Sequence, residues 1–371
     1  MSDIKKLGMP KWGLTMKEGT VVEWLVEEGA DISHGDELVE VESEKINNAV
    51  EAPTSGVLRR RVAKEGDVLP VGDLLGVIAD SDVPDSDIEA FVEEFQSTFV
   101  PEEEDAGGPA PETVEVGGRS IQYLAMDETD SGTPLILIPG YGGDINIFVF
   151  NQETLSRARA VYAIDMPGHG GSEKEVGDGS LDFFAGVVNG FMEEKGIGRA
   201  HLAGHSMGGA IASVFTLDNP DKVASLTLFA SAGFGEEINS EYIEAFIAAN
   251  KRKDMKAALQ RLFADPSLVT RDLVADILAY KRKDGVNESL RTVADSVFAD
   301  GKQSRVIDAS KLGVPILAVW GDDDKIVPSS HSKNLPDDAK VETIENKGHM
   351  VQMEAAGPTN RVVSEFLSRV E

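Results

Sequence analysis

The first eighty residues carry a repeat, and it constrains them more than any other feature does. Gly19, Gly29 and Gly35 recur as Gly56, Gly66 and Gly72, each displaced by 37 residues. Glu18-Gly19-Thr20-Val21-Val22 aligns with Ser55-Gly56-Val57-Leu58-Arg59, and Gly35-Asp36-Glu37-Leu38 aligns with Gly72-Asp73-Leu74-Leu75. Each glycine stands where a short alternating strand must turn. A unit this short cannot bury its apolar face alone, so two copies pack on each other. The expected product is an all-β flattened sandwich with pseudo-twofold symmetry over residues 1–80. Lys45, in Glu42-Ser43-Glu44-Lys45-Ile46-Asn47, links the halves, where a tight hairpin holds its amine out in solvent; its counterpart in the second half is Asp82.

The chain then changes character. Between Asp80 and Gly118 there are thirteen acidic residues and no Lys or Arg, with Pro84, Pro101, Pro109 and Pro111 and a Gly107-Gly108 pair. Residues 81–112 therefore read as an acidic linker. Ile88, Phe91, Val92, Phe95 and Phe99 recur at helical intervals inside it, which predicts one short amphipathic helix over 87–99. The formal charge of the whole chain is -30, which repels nucleic acid and anionic membrane and leaves proteins and small molecules as partners. No apolar run is long enough for a membrane span, and Met1 to Pro10 lacks the basic-then-apolar order of a signal peptide, so the expected location is the cytoplasm. With no cysteine, disulfides, thiolate metal ligands and a cysteine nucleophile are excluded, and no metal site is expected.

From Thr113 onward, Leu135–Ile138, Ala160–Ile164, Ala200–Ala203, Ser225–Phe229 and Pro315–Trp320 read as buried parallel strands alternating with amphipathic helices. The third strand runs into Gly204-His205-Ser206-Met207-Gly208-Gly209, a G-x-S-x-G turn before a helix over Met207 to Asp218. Small residues at Gly204 and Gly208 permit the sharp turn that lifts a serine hydroxyl clear of a sheet. Such a serine needs a histidine base held by a carboxylate. Of six histidines, His205 sits on the elbow and is expected to point away, His34 belongs to the first domain, His201 lies in a strand, and His169 and His331 lie in loops. His349 follows the last strand and fits the order serine, acid, histidine. The acid comes from Trp320-Gly321-Asp322-Asp323-Asp324-Lys325-Ile326-Val327-Pro328, where Asp324 and Asp322 both remain candidates. Residues 236–312 interrupt the sheet with helical stretches at Glu241–Leu262 and Leu268–Lys281. They hold two basic triplets, Lys251-Arg252-Lys253 and Lys281-Arg282-Lys283. These triplets read as a solvated helical face, or as partners for phosphates or the acidic linker. Phe148, Phe150, Phe234 and Phe246 are candidates for core packing or for an acyl pocket.

Residues 7 to 80 resemble a lipoyl domain, whose pattern runs from M-P-x-x-G-x-x-M-x-E-G-T through E-[ST]-[DE]-K to a closing G-D; Met9, Pro10, Gly13, Met16, Glu18, Gly19 and Lys45 match it. The related biotinyl domain carries Met on both sides of its lysine, whereas Lys45 is flanked by Glu44 and Ile46. The resemblance therefore implies lipoate, joined covalently to Lys45 by a lipoate-attaching enzyme, which supplies the dithiol that the chain lacks. Residues 113 to 371 resemble the α/β-hydrolase superfamily, including the loop Asp165-Met166-Pro167-Gly168-His169-Gly170-Gly171-Ser172. That resemblance implies an α/β-hydrolase fold, a helical cap at about 236–312 lying over the serine, and oxyanion donors in the backbone amides of Tyr141 and Met207. The family spacing W-G-x-x-D-x-x-x-P selects Asp324 as the acid. Pro139-Gly140 stands where the family has His-Gly.

The fusion resembles the family of acetyltransferase components of acetoin-cleaving dehydrogenase systems. The resemblance implies a carrier and catalyst in one chain, moving acetyl from the lipoyl arm to coenzyme A with Ser206 as nucleophile and His349 as base. The implied partners are a thiamine diphosphate-dependent acetoin dehydrogenase and a dihydrolipoamide dehydrogenase. The sequence has no H-x-x-x-D-G motif and no basic helical subunit-binding segment, so it departs from ordinary lipoyl acyltransferases. Two other readings are a serine carboxylester hydrolase with an independent carrier module and a non-catalytic carrier and docking subunit.

Overall fold

The computed structural model describes residues 4–10, 12, 16–43, 47–100, 109–126 and 132–371. The chain forms two compact units, the first running to residue 108 and the second from residue 109.

In the first unit the strands are β1 (Lys5–Gly8), β2 (Glu18–Trp24), β3 (Asp31–Ile32), β4 (Glu37–Glu42), β5 (Asn47–Glu51), β6 (Gly56–Arg61), β7 (Val68–Pro70) and β8 (Leu74–Ala79). They make two four-stranded sheets, ordered β1-β8-β6-β3 and β5-β4-β2-β7. The 37-residue displacement carries β2 onto β6, β3 onto β7 and β4 onto β8, and each sheet takes two strands from each half. Gly29 and Gly66 both have φ +88°, and Gly35 and Gly72 have +89° and +83°, so the repeated glycines make the same left-handed turns. Between the sheets Leu7, Val21, Leu38, Val41, Leu58, Leu75 and Ile78 form one core. Trp24 closes one end by donating its indole N–H to the Ala63 carbonyl at 2.9 Å. β4 and β5 pair antiparallel up to Glu42 opposite Asn47, so the four residues between them join adjacent strands at the end of a sheet. Residues 44–46, including Lys45, and Gly13 lie outside the described residues.

Helix α1 (Asp85–Thr98) belongs to this unit. Ile88 is fully buried, and Phe91, Val92 and Phe95 pack with it on Leu74, Val77, Ala79 and Val83. Arg59 and Arg60 of β6 meet Asp85 at 2.7 Å and Glu89 at 3.4 Å. Where the first half turns back into a paired strand, the second half thus runs from β8 into a docked helix. This helix takes up much of the stretch that reads as an acidic linker. Thirteen residues separate Thr98 from the next strand at Glu112, a reach of at most about 45 Å at ~3.5 Å per residue.

The second unit is built on one eight-stranded sheet. Its strands are β9 (Glu112–Val116), β10 (Arg119–Met126), β11 (Leu135–Ile138), β12 (Val161–Ile164), β13 (Ala200–His205), β14 (Val223–Phe229), β15 (Ile316–Gly321) and β16 (Lys340–Ile344). Their order is β16-β15-β14-β13-β11-β12-β10-β9; β11 to β16 run parallel and the β12-β10-β9 edge is antiparallel. The five apolar runs seen in the sequence are the sheet's centre, buried on both faces. β16 is a half-buried edge strand, and β9 is mostly exposed. Helices α2 (Gln152–Ser156), α3 (Leu181–Glu194), α4 (Met207–Asp218), α9 (Val351–Glu354) and α10 (Ala356–Val370) complete the α/β layers. Between β14 and β15 rise α5 (Ser240–Ala248), α6 (Arg252–Leu259), α7 (Arg271–Lys281) and α8 (Val286–Val297). The single stretch expected over 241–262 is two helices. Lys281 explains the break: its ammonium donates to the Phe246, Ile247 and Ala249 carbonyls at the end of α5, taking the acceptors a continuing helix would use. Among the described residues no helix is long and apolar enough to cross a membrane.

Candidate active site

The candidate site lies along the C-terminal ends of the parallel strands, where an α/β sheet exposes its loops. Strand order reverses around β11, which has β12 on one side and β13 on the other. Ser206 follows β13 and Tyr141 follows β11, so both stand beside this switch. Ser206 has φ 53° and ψ -120°, a strained conformation for a residue with a Cβ. Close packing enforces it. A Cβ on Gly204 would collide with the Gly208 carbonyl, and one on Gly208 would collide with the Ile138 carbonyl and lie 2.6 Å from that of Pro139. The Ser206 carbonyl is satisfied by the amides of Gly209, Ala210 and Ala232. Met207 opens α4, so its amide belongs to the first turn, which has no intrahelical acceptor.

His349 and Asp324, 25 residues apart in sequence, come together through their side chains. His349 Nδ1 donates to Asp324 Oδ2 at 2.8 Å, with both side chains almost fully buried. The other Asp324 oxygen accepts the amides of Ile326 at 2.8 Å and Val327 at 3.0 Å. This pairing places a proton on Nδ1 and leaves Nε2 as the ring nitrogen that can exchange a proton with a neighbouring hydroxyl. Asp322 instead accepts the Asn346 amide at 2.7 Å, and Asp323 pairs with Lys325 at 2.9 Å. Those two carboxylates shape the turn.

The remaining histidines are occupied elsewhere. Burial holds His169 and His201 down at about 4, their Nδ1 atoms meeting the Pro167 carbonyl at 2.9 Å and the Ser225 hydroxyl at 2.7 Å. His331 pairs with the exposed Glu237. His205 does not leave the site as expected. Its Nε2 donates to the His349 carbonyl at 3.0 Å, and the two rings lie 4.7 Å apart. Burial and the neighbouring His349 hold His205 well below the usual imidazole range, so it is a neutral prop for the His349 loop.

Several supporting residues were not singled out from the sequence. Glu354 accepts the amides of Gly348 at 2.9 Å and Ala264 at 2.9 Å, and His349 donates its own amide to Leu262 at 2.8 Å; the histidine loop is thus tied to the cap. The loop after β11 is tied to the cap as well, through the Tyr141 hydroxyl, which donates to the Leu290 carbonyl of α8 at 2.9 Å. Pro139-Gly140 fits because a Cβ on Gly140 would lie 2.9 Å from the Ser206 Cβ. In place of the missing histidine, Asp165 braces this loop. Its carboxylate accepts the amides of Ile145 at 2.8 Å and Gly171 at 2.7 Å, although only the motif around it drew notice in the sequence. Phe148, Phe150, Phe234 and Phe246 are all buried, and the Phe246 ring meets that of Tyr141 edge-on at 6.1 Å. Lys281 is buried too, which corrects its reading as part of a solvated face.

Asp165 gives a pH prediction. Burial, then repulsion from Asp144, raises its carboxyl to about 7 from an ordinary 3.8. The folded state therefore holds this proton more tightly than the unfolded chain. The resulting stability is complete below about pH 4 and is lost as pH rises through 7. Asp165→Asn does not titrate and loses one acceptor at every pH. Its urea midpoint, measured against the parent's, is expected to be lower at pH 4.5 and to recover toward the parent at pH 7.5. A pH-independent difference would rule out this titration.

The comparisons with known proteins agree with this architecture. The model of the biotin-requiring enzyme (biotin/lipoyl) family matches residues 5–78, and that of the alpha/beta hydrolase fold matches residues 133–356. The dihydrolipoyllysine-residue acetyltransferase component of the acetoin cleaving system of Pseudomonas putida is 47% identical over the full length of both chains. This chain belongs to that family. Its counterpart from Cupriavidus necator is 41% identical, covering 97% of this chain and 96% of the relative. Among solved structures, a meta-cleavage product hydrolase from Pseudomonas fluorescens IP01 superimposes with a TM-score of 0.64 at 25% identity, covering 70% of this chain and 98% of that one. Family membership thus spans both units, whereas the hydrolase matches the second.

Proposed function

We propose that this chain transfers an acetyl group from a dihydrolipoyl arm on its own Lys45 to coenzyme A, with Ser206, His349 and Asp324 as the catalytic triad and the Tyr141 and Met207 amides as the oxyanion hole. The observation that carries the reading is the fusion of a carrier-type sandwich to a strained serine turn with a carboxylate-held histidine. The lipoyl group suits the first unit, where β4 and β5 leave a four-residue link at the end of a sheet, and when bound it supplies the thiol that carries the acyl group.

Everything else falls to the chain's own residues. His349 Nε2 takes the Ser206 proton as the oxygen attacks the acyl carbonyl, and Asp324 stabilises the resulting imidazolium without taking its proton. The oxyanion is received by the Tyr141 and Met207 amides. His349 then returns the proton to the departing thiol, deprotonates the incoming coenzyme A thiol as its sulfur attacks the acyl-serine, and passes that proton to the Ser206 oxygen as the ester bond breaks. The serine ester is lower in energy than a thioester, so this last step runs uphill, and water must be kept out. The Leu262 and Leu290 contacts hold the cap over both catalytic loops. A thiamine diphosphate-dependent acetoin dehydrogenase loads the arm, dihydrolipoamide dehydrogenase reoxidises it, and the assembly works in the cytoplasm.

Intact mass after expression with lipoate is expected to show one lipoyl group per chain in the parent and none in Lys45→Ala, with acetyl-CoA formation by the reconstituted system abolished in the variant. Ester turnover that ignores Lys45→Ala, without acetyl-CoA formation, would make the second unit a hydrolase with an independent carrier. Biotin in place of lipoate would overturn the assignment of the arm.

A further inference from the structure

On the acidic surface two basic triplets of the sequence, 251–253 and 281–283, leave five exposed cations on the cap. The chain has 65 acidic against 35 basic residues, and some cations of the second unit meet carboxylates: Arg291 meets Glu244 at 2.8 Å, Lys302 meets Glu236 at 2.7 Å and Arg305 meets Asp182 at 2.7 Å. Lys251, Arg252, Lys253, Arg282 and Lys283 do not. All five are exposed, and among the described residues none forms an ion pair, although Asp254 and Asp284 are their neighbours in sequence. Lys281 brings the two groups together. Its ammonium, bonded to the Ala249 carbonyl at 2.9 Å, seats the end of α7 beside the turn that enters α6. Five like charges gathered on one edge raise the local positive potential, which favours an anionic ligand there.

A chain of packed side chains links the edge to the serine turn. The Lys281 ammonium lies 5.3 Å from the centre of the Phe246 ring, that ring lies 6.1 Å from Tyr141, and Tyr141 adjoins the Gly140 position packed against Ser206. An extended arm of about thirteen skeletal bonds reaches ~15 Å at ~3.5 Å per three bonds, a little more than these two side-chain spacings together. We infer that Lys251, Arg252, Lys253, Arg282 and Lys283 receive the diphosphate and ribose phosphate of coenzyme A, leaving its neutral arm to run beneath the cap toward Ser206. This rests on the acceptor proposed above and adds where its charge is read.

The test uses the lipoylated full chain, free S-acetyl-dihydrolipoamide as donor, and two acceptors: coenzyme A and pantetheine, which carries the same thiol arm without phosphates. In Arg252→Glu/Arg282→Glu the KM for coenzyme A is expected to rise about 10- to 100-fold with kcat unchanged, while pantetheine kinetics stay at the parental values. Raising salt is expected to weaken coenzyme A in the parent and leave pantetheine alone. The unchanged pantetheine reaction also reports that the variant is folded. A coenzyme A KM within twofold of the parent, or an equal loss for both thiols, would overturn the phosphate site. If the parent accepts both thiols with the same kcat/KM, the phosphate site fails while the acetyltransferase reading stands. If the parent acetylates neither, the acceptor assignment fails and takes the phosphate site with it.

Discussion

Replacing Ser206 by alanine is expected to lower acetyl-CoA formation by at least about 10³-fold while leaving lipoylation of Lys45 and the urea midpoint unchanged. The stability should hold because the turn is set by its glycines and by the three amides on the Ser206 carbonyl, none of which involves the hydroxyl. The rate should fall because the His349–Asp324 pair, at 2.8 Å, has nothing to activate once the oxygen is gone, whereas the oxyanion amides remain. The competing chemistry is direct attack of the coenzyme A thiol on the acyl carbonyl, with His349 as its base. That route uses His349 and Asp324 and spares Ser206. The two are separated by comparing Ser206→Ala with His349→Ala under single-turnover conditions. Equal losses support the acyl-serine route; a parental rate in Ser206→Ala with a collapsed rate in His349→Ala would exclude it. An unchanged rate in both variants would reduce the second unit to a docking module.

Much of this arrangement was legible in the sequence, for reasons that differ from residue to residue. The sandwich was visible because an internal repeat reports symmetry directly: Gly29 and Gly66 have the same φ since the same turn is made twice. The five central strands were visible because strands buried on both faces need continuous apolar runs. The strands that were missed are the ones that sequence describes poorly. β16 alternates intermediate and exposed positions, β9 exposes most of its residues, and β10, also missed, mixes buried with half-buried positions, so none of the three has a continuous apolar run to detect. In the site, Ser206 and His349 stand at strand ends with a required chain order. The supporting groups carry no such signal, because His205, Glu354 and the Tyr141 hydroxyl act through carbonyls and amides far off in the chain, as with Tyr141 and Leu290, 149 residues apart. Lys281 was misread for the same reason. Within a run of three basic residues it looks solvated, and only the end of α5 reveals that its ammonium satisfies three carbonyls. Asp324 and Asp322 are indistinguishable by composition; the family spacing implies Asp324, and in the structure it is Asp324 that meets His349, while Asp322 meets the Asn346 amide.

The second large effect is on folding and needs no assumption about activity. Gly208→Ala places a methyl group against the Ile138 carbonyl and 2.6 Å from that of Pro139. Both obstacles are backbone at the end of β11, the strand that pairs with β12 and β13 at the sheet's switch point, so no side chain can swing aside. Relief requires α4 to tilt or β11 to shift, and either breaks the turn that holds Ser206. The expected cost exceeds about 4 kcal/mol, the range reached by backbone overlap in a fully packed core, and should appear as a large fall in the urea midpoint or as insoluble protein. The matched control is Gly186→Ala on α3. Gly186 is exposed, and a Cβ there meets nothing within 4 Å, so the substitution should stabilise the second unit by about 0.5–1 kcal/mol through helix propensity alone. Opposite signs for the same chemical change, read by denaturant unfolding of the two variants, would attribute the effect to the close approach at Gly208. A mild loss at Gly208 would mean that β11 can yield, and the packing account of the strained serine turn would then fail.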